Sequence, residues 1–157
     1  MSPIATAFQC QMCGTCCHGE GGIIVDRTDL QRLAAFLELS QNQCAAAYTQ
    51  PQGDKLVLQC ASDGMCIFFR PGQGCGVHAV KPAVCRAWPF FRGNLLDPLS
   101  WELAQDACPG IHAQAGHEAF VRQGWTYLCS QDLLRARRTD TANALIVTAD
   151  ELPYAID

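Results

Sequence analysis

Four cysteines lie within eight residues near the start of the chain, between Cys10 and Cys17. Two Cys-x-x-Cys steps share their middle cysteine, so Cys10, Cys13 and Cys16 can converge from one tight loop on a single metal ion or cluster. Cys17 directly follows Cys16, and adjacent side chains tend to point in different directions. The Cys16-Cys17 doublet therefore indicates a second metal site or a polynuclear centre.

A disulfide knot, or a set of packed thiols, would use the same residue type. Four thiols this close could pair among themselves only through small, strained loops, because bridging geometry is demanding. The chain has 11 cysteines, and an odd number cannot be paired completely within one chain. Metal ligation is the favoured interpretation.

The overall composition is that of one ordinary domain, with 157 residues of which 49% are hydrophobic. The chain carries 11 basic and 15 acidic residues, and the basic ones are scattered until Arg135, Arg137 and Arg138. That short basic run is typical of the C-terminal end of a helix, where positive charge complements the helix dipole. A nucleic acid partner is therefore not expected.

The sequence also bears on the compartment. The first nine residues contain no Lys or Arg, and no apolar run near the start is long enough for the core of a signal peptide. No run approaches the roughly 18 apolar residues of a membrane-spanning helix. We therefore expect a cytoplasmic protein without a membrane partner, in a reducing compartment where clustered cysteines are more often metal ligands or catalytic groups than bridged.

Helices and strands must position the thiols. The spacing of apolar residues predicts a helix over residues 29–39, and Ser40 is typical of the N-cap of a second helix that ends at Tyr48. Residues 55–59 and 66–69 are predicted to form an antiparallel hairpin about a turn at residues 61–64. Such a hairpin would carry the cysteine at position 66 toward the N-terminal loop.

The second half of the chain offers further thiols at turns and helix starts. Cys75 and Cys108 fall in glycine- and proline-rich turns, and Cys85 follows a proline that is suited to the first turn of a helix. A strand is predicted at residues 101–104, and a long helix at residues 117–138. Cys129 is expected on the buried face of that helix, and Cys44 is expected to be a packing residue.

These elements predict an α+β fold with N-terminal helices, a short antiparallel hairpin, a long C-terminal helix and loops that converge on a cysteine-ligated metal centre. We expect one domain over residues 1–157, with a motif region at 8–111, a helical part at 112–138 and a tail at 139–157.

Several separated motifs resemble one known family, the YkgJ-type cysteine-cluster proteins, which are zinc- or iron-chelating domains with a CxxCxxCC signature. The matching segments are Phe8 to Cys17, Cys66 to Phe69, Gly74 to His78, Pro82 to Arg86 and Cys108 to Ile111. The resemblance implies metal binding by eight cysteines. They are Cys10, Cys13, Cys16, Cys17, Cys66, Cys75, Cys85 and Cys108. Cys44, Cys60 and Cys129 lie outside the pattern, and Cys60 is assigned no role.

The thiol set admits an iron-sulfur cluster or zinc. Three close cysteines plus a remote one followed by proline resemble the ferredoxin arrangement of a 4Fe-4S cluster, and Cys108-Pro109 fits the remote position, with Cys85 as the competing candidate. Zinc would instead form up to two closed four-cysteine sites. The iron-sulfur interpretation is favoured, which gives a redox, sensing or accessory role.

Two other function classes stay open. A zinc-binding protein would be a structural, interaction or metal-handling module. Some members of the resembled family are joined to a flagellin lysine methylase, to which an iron-sulfur cluster is attributed, so the resemblance also allows the cofactor-bearing part of a modification enzyme. The sequence contains no nucleophile-base pair, phosphate-binding glycine loop or paired carboxylates that would establish an enzyme.

Overall fold

The computed structural model describes residues 6–11, 22–136 and 140–156. It combines α-helices with short antiparallel sheets, so the predicted α+β class is confirmed. The chain divides into two compact units, which we describe separately. The described part of the sheet unit is residues 22–86 and 140–142, and that of the helical unit is residues 6–11, 87–136 and 143–156.

Two capped helices open the sheet unit, and both confirm the sequence prediction. Helix α1 (Arg27–Leu37) begins with a capping box in which Asp26 and Asp29 each accept the other's backbone N–H. Helix α2 (Gln41–Tyr48) has the same arrangement at its N-cap, Ser40. In each case the contact joins residues three apart, so the chain itself determines where the helix starts.

The sheet that follows differs from the predicted hairpin. Strand β3 (Lys55–Leu58) lies between β1 (Ile24–Val25) and β2 (Thr49–Gln52), and all pairings are antiparallel. Residues 66–69 do not pair with β3, because β1 and β2 occupy both of its edges. Of the predicted hairpin, the turn and a single antiparallel bridge between Cys60 and Cys66 are present. Pro51 is tolerated in β2 because an edge strand does not need every backbone donor.

Two short elements complete the sheet unit beyond β3. Strands β4 (Phe69–Arg70) and β5 (Gly74–Cys75) form a separate small hairpin, and helix α3 (Ala83–Ala87) follows it. The Asp29 carboxylate in α1 accepts the backbone N–H of Ala83 at 2.9 Å, which ties the beginning of α3 to the beginning of α1.

The helical unit contains α4 (Arg92–Leu96), α5 (Pro98–Ala107) and α6 (His117–Ser130). The predicted strand at residues 101–104 is wrong, because these residues lie inside α5. Asp97 caps α5 by accepting the N–H of Leu99, and proline occupies the first turn, where its missing donor costs nothing. This start signal outweighs the local strand propensity.

Helix α6 is shorter than the predicted helix over residues 117–138. It ends at Ser130 because Asp132 adopts the left-handed conformation, with φ of 53°, and Leu133 returns its N–H to the carbonyl of Leu128 at 2.9 Å. Arg135 lies beyond the helix, so the helix-end interpretation of the basic run is wrong for this residue. Arg137 and Arg138 lie outside the described residues.

A buried aromatic group forms the centre of the helical unit. Phe90 packs against Phe120 with ring centroids 4.9 Å apart, and against Phe8 at 5.4 Å. Gly124 in α6 leaves room for the Phe90 ring, because a Cβ at that position would lie 2.5 Å from its Cδ1 atom. Within residues 22–136 and 140–156, no helix has the combined length and apolar character that a membrane crossing requires.

Candidate metal centre

Among the described predicted ligands of the sheet unit, Cys66 is the most buried, with 6% of its surface exposed. It begins a tight turn in which Phe69 donates its N–H to the Cys66 carbonyl at 2.9 Å. The same turn points the backbone amides of Phe68 and Phe69 at the Cys66 sulfur. Amide donors stabilise a thiolate, which is the form that binds metals.

The small hairpin returns Cys75 to the same region. Cys75 in β5 lies opposite Phe69 in β4, and Gly76 donates its N–H to the carbonyl of Phe68 at 2.8 Å. Cys85, in α3, is half-buried. Cys66 belongs to the hydrophobic core of this unit, and both Cys75 and Cys85 pack against that core. Three predicted ligands therefore lie in or against the same hydrophobic core.

The electrostatics of Cys66 indicate crowding by other thiols. Burial raises the pKa of the Cys66 thiol, the amide of Phe68 lowers it, and the neighbouring sulfurs of Cys75 and Cys60 raise it again. A bound cation would relieve both the burial and the mutual repulsion of thiolates at such a site.

Cys60 is a residue to which the sequence assigned no role. It forms an isolated antiparallel bridge with Cys66 and is exposed. The turn predicted at residues 61–64 is present, with Gly64 donating to the carbonyl of Ala61 at 2.9 Å. A tight turn between two cysteines was the signal that could have identified this pair.

In the helical unit, an antiparallel backbone pairing positions Cys10 and Cys108. Phe8 is paired with Ile111, and the N–H of Gln9 donates to the carbonyl of Gly110 at 2.9 Å. The N–H of His112 also donates to the carbonyl of Ala7 at 2.9 Å, so this short ladder holds residues 7–9 against residues 110–112. It joins the segment that leads to Cys10 to the turn that begins at Cys108, where Ile111 donates its N–H to the Cys108 carbonyl at 3.2 Å.

Gln123 in α6 clamps the segment that leads to Cys10. Its side-chain oxygen accepts the backbone N–H groups of Ala7 at 2.7 Å and Phe8 at 3.1 Å. Its amide nitrogen donates to the carbonyl of Phe8 at 2.8 Å. The Gln123 side chain thus bonds the backbone of residues 7–8 much as a neighbouring strand would. The segment that leads to Cys10 is therefore held by α6 as well as by residues 110–112.

The remaining cysteines have different surroundings. Cys44 is fully buried in the sheet unit, which confirms it as a packing residue. Cys129 is exposed, so its predicted place on a buried face is wrong: α6 turns this position to solvent. Cys13, Cys16 and Cys17 lie outside the described residues. Within the described ranges, no three His, Cys, Asp or Glu side chains are already arranged to hold a metal ion.

Comparison with known protein families identifies the chemistry of these thiols. The model of the CxxCxxCC family, described as "Putative zinc- or iron-chelating domain", matches residues 9–109. The chain belongs to this family. The YkgJ-type resemblance is thereby confirmed, and the protein is a metal-binding protein. No solved structure matches the chain.

The donor set of this CxxCxxCC protein fits zinc or iron. All eight predicted ligands fall inside the matched segment, whereas Cys129 falls outside it. Thiolates are preferred ligands of zinc and of iron-sulfur clusters. The buried Cys66 sulfur, with two amide donors and the neighbouring thiols of Cys75 and Cys60, is chemically suited to be one of these ligands.

Proposed function

We propose that the protein holds an iron-sulfur cluster of the 4Fe-4S type and acts as a redox, sensing or accessory protein. The proposed ligands are the eight family-position cysteines, Cys10, Cys13, Cys16, Cys17, Cys66, Cys75, Cys85 and Cys108. Thiolates of this number require a reducing compartment, so a cytoplasmic location goes with the proposal.

The observation that carries this proposal is the ladder between the N-terminal segment and the turn at Cys108. Ferredoxin-like binding combines a run of close cysteines with a remote cysteine followed by proline. Cys108 is followed by Pro109, and the Phe8–Ile111 pairing holds this turn against the segment that leads to Cys10, where the close run begins. The pairing supports the proposal because it joins the two segments that would have to supply ligands together.

Zinc is the second candidate, and the surroundings of Cys66 in the sheet unit favour it. Cys75 and Cys85 pack against the hydrophobic core that contains Cys66, and the backbone amides of Phe68 and Phe69 donate to the Cys66 sulfur. Closed four-cysteine sites hold structural zinc and contribute free energy of folding directly. The protein would then be a structural, interaction or metal-handling module.

Metal analysis of anaerobically purified protein separates the two candidates. Iron, acid-labile sulfide and zinc are measured per chain, and the visible spectrum is recorded before and after reduction with dithionite. Iron and sulfide in equal amounts, with a brown colour that bleaches on reduction, are the expected result. A colourless protein with zinc and neither iron nor sulfide would overturn the iron-sulfur proposal in favour of zinc.

A further inference from the structure

Cys60 and Cys66 are directly opposite residues in an antiparallel pairing. Ile67 donates its N–H to the carbonyl of Gln59 at 3.0 Å, and Ala61 donates to the carbonyl of Met65 at 2.8 Å. These two bonds flank the pair, which makes Cys60–Cys66 a non-hydrogen-bonded pair. At such a pair the Cα atoms are about 4.5 Å apart and the side chains share one face.

That geometry suits a disulfide, which spans Cα separations of about 4.4–6.8 Å. The intervening turn holds the pair in place, because Gly64 donates to the Ala61 carbonyl at 2.9 Å and Met65 donates to the Asp63 carboxylate at 3.0 Å. Both cysteines are free in the structure, and the Cys60 sulfur is close enough to influence Cys66 electrostatically. The backbone pairing therefore has the geometry from which a disulfide can form.

We propose that Cys60 and Cys66 form a reversible dithiol-disulfide site whose oxidant is a low-molecular-weight disulfide. The two thiols differ in access: Cys60 is exposed, whereas Cys66 is only 6% exposed. The reaction therefore begins at Cys60 and is completed by Cys66, as in pairs of a reactive and a resolving cysteine.

The chemistry balances in two exchange steps. The Cys60 thiolate attacks one sulfur of the small disulfide, forms a mixed disulfide and releases one thiolate. The Cys66 sulfur then attacks the Cys60 sulfur, loses its proton to solvent and releases the second thiolate. The two protein thiols lose two electrons, and the small disulfide gains them to give two small thiols.

The consequence for the metal rests on the proposed function. Cys66 is a proposed ligand, and a sulfur in a disulfide is no longer a thiolate ligand. Formation of the Cys60–Cys66 bond would therefore remove one ligand and release the metal or cluster. Cys60, which lies outside the family's cysteine pattern, would give this chain a redox response of its own.

The test treats the anaerobically purified full-length protein with oxidised glutathione and traps remaining thiols with an alkylating agent. Cleavage before Asp63 puts Cys60 and Cys66 on separate peptides, and cleavage after Phe69 removes Cys75 from the second peptide. Mass spectrometry should then find the two peptides joined by a disulfide. Cys60→Ser should lose this product, and the matched control Cys129→Ser, at another exposed cysteine, should keep it.

Metal content measured in the same samples separates this inference from the proposed function. Loss of metal in step with the cross-link, and slower loss in Cys60→Ser, would support both. A cross-link without metal loss would support the dithiol site and contradict Cys66 as a ligand. Cys60 recovered alkylated, or joined only to glutathione or to another cysteine, would overturn the inference. So would metal loss from reduced Cys60→Ser, because Cys60 would then be a ligand.

Discussion

The Cα atom of Gly110 lies directly against the backbone carbonyl oxygen of Gln9. A Cβ at position 110 would overlap that oxygen and would lie 3.0 Å from the Cε2 atom of Phe8. The turn that presents Cys108 can therefore pack against the segment that presents Cys10 only when position 110 has no side chain. This explains in physical terms why glycine follows Cys108-Pro109 in the motif.

Gly110→Ala should consequently destabilise the protein by about 1–3 kcal/mol, because backbone atoms would have to move apart. Gly93→Ala is the matched control, since its Cβ would meet only the Ser100 hydroxyl, at 4.0 Å, and alanine is the better helix former by about 1 kcal/mol. Urea unfolding of both variants measures the difference. Equal stability of the two variants would show that the ladder does not need this close approach.

Replacing Cys13 or Cys16 by serine should abolish metal retention, because either change removes a thiolate from the densest group of ligands. Cys129→Ser should retain the metal, since this residue is exposed and lies outside the matched family segment. Cys44→Ser should also retain it, although burial of a hydroxyl should lower stability. Metal per chain after anaerobic purification measures each effect. If Cys44→Ser lost the metal as completely as Cys13→Ser, the division into ligands and packing residues would be wrong.

Gly124→Ala tests the packing of the helical unit. Alanine favours a helix by about 1 kcal/mol over glycine, yet its Cβ would lie 2.5 Å from Cδ1 and 2.8 Å from Cγ of the buried Phe90. We expect net destabilisation of about 1–3 kcal/mol, because the ring is held by its aromatic neighbours. Adding Phe90→Leu should recover part of the loss in a double-mutant cycle of thermal unfolding. Strictly additive effects would argue against the contact.

Glu151 provides a pH-dependent contribution to stability. Its hydrogen bonds with Arg92, and then with the backbone of Thr148, lower the pKa of the Glu151 carboxyl from 4.5 to about 2. Because the folded-state pKa is lowered, the contribution is present above pH 4.5 and is lost as the pH falls from there to about 2. The pair is about one-third exposed, so salt should weaken the effect.

The measurement compares urea unfolding of the wild type and Glu151→Gln near neutral pH and at about pH 3. The wild type should lose more stability on acidification than the variant does. Asp150→Asn, a neighbouring exposed carboxylate, serves as the control for general charge effects. Parallel stability curves for the wild type and Glu151→Gln would contradict the assigned role of the Arg92 pair.

Local signals made part of the fold predictable. The predicted start of α2 follows from Ser40, whose cap is a contact between residues three apart, and the cap of α1 at Asp26 is equally local. The strand expected at residues 101–104 failed where an equally local signal, Asp97 followed by proline, was not weighed. Strand β2, which contains Pro51, was not predicted; it is an edge strand, because the sheet order leaves it unpaired on one side.

Proximity between distant thiols could not be predicted in the same way. The Phe8–Ile111 pairing is set by backbone contacts between segments far apart in the chain, and by the Gln123 clamp, which has no sequence signature. Cys129 is exposed because of the rotation of α6 about its own axis. A single additional or missing apolar residue along the helix can change which face is buried, so this rotation is hard to predict from the sequence. Residue type and spacing therefore provide the candidate ligands, whereas their arrangement is a property of the tertiary structure.

The Asp29 carboxylate has a consequence for how α1 responds to events at Cys85. By accepting the N–H of Ala83, it links the first turn of α1 to the start of the helix that carries Cys85, so opening of either one breaks a buried hydrogen bond of the other. Coupling of this kind is reciprocal, so we expect a ligand that holds Cys85 in place to disfavour opening of the first turn of α1. Amide hydrogen exchange in the first turn of α1 would then record the occupancy of a thiol more than fifty positions away in the sequence.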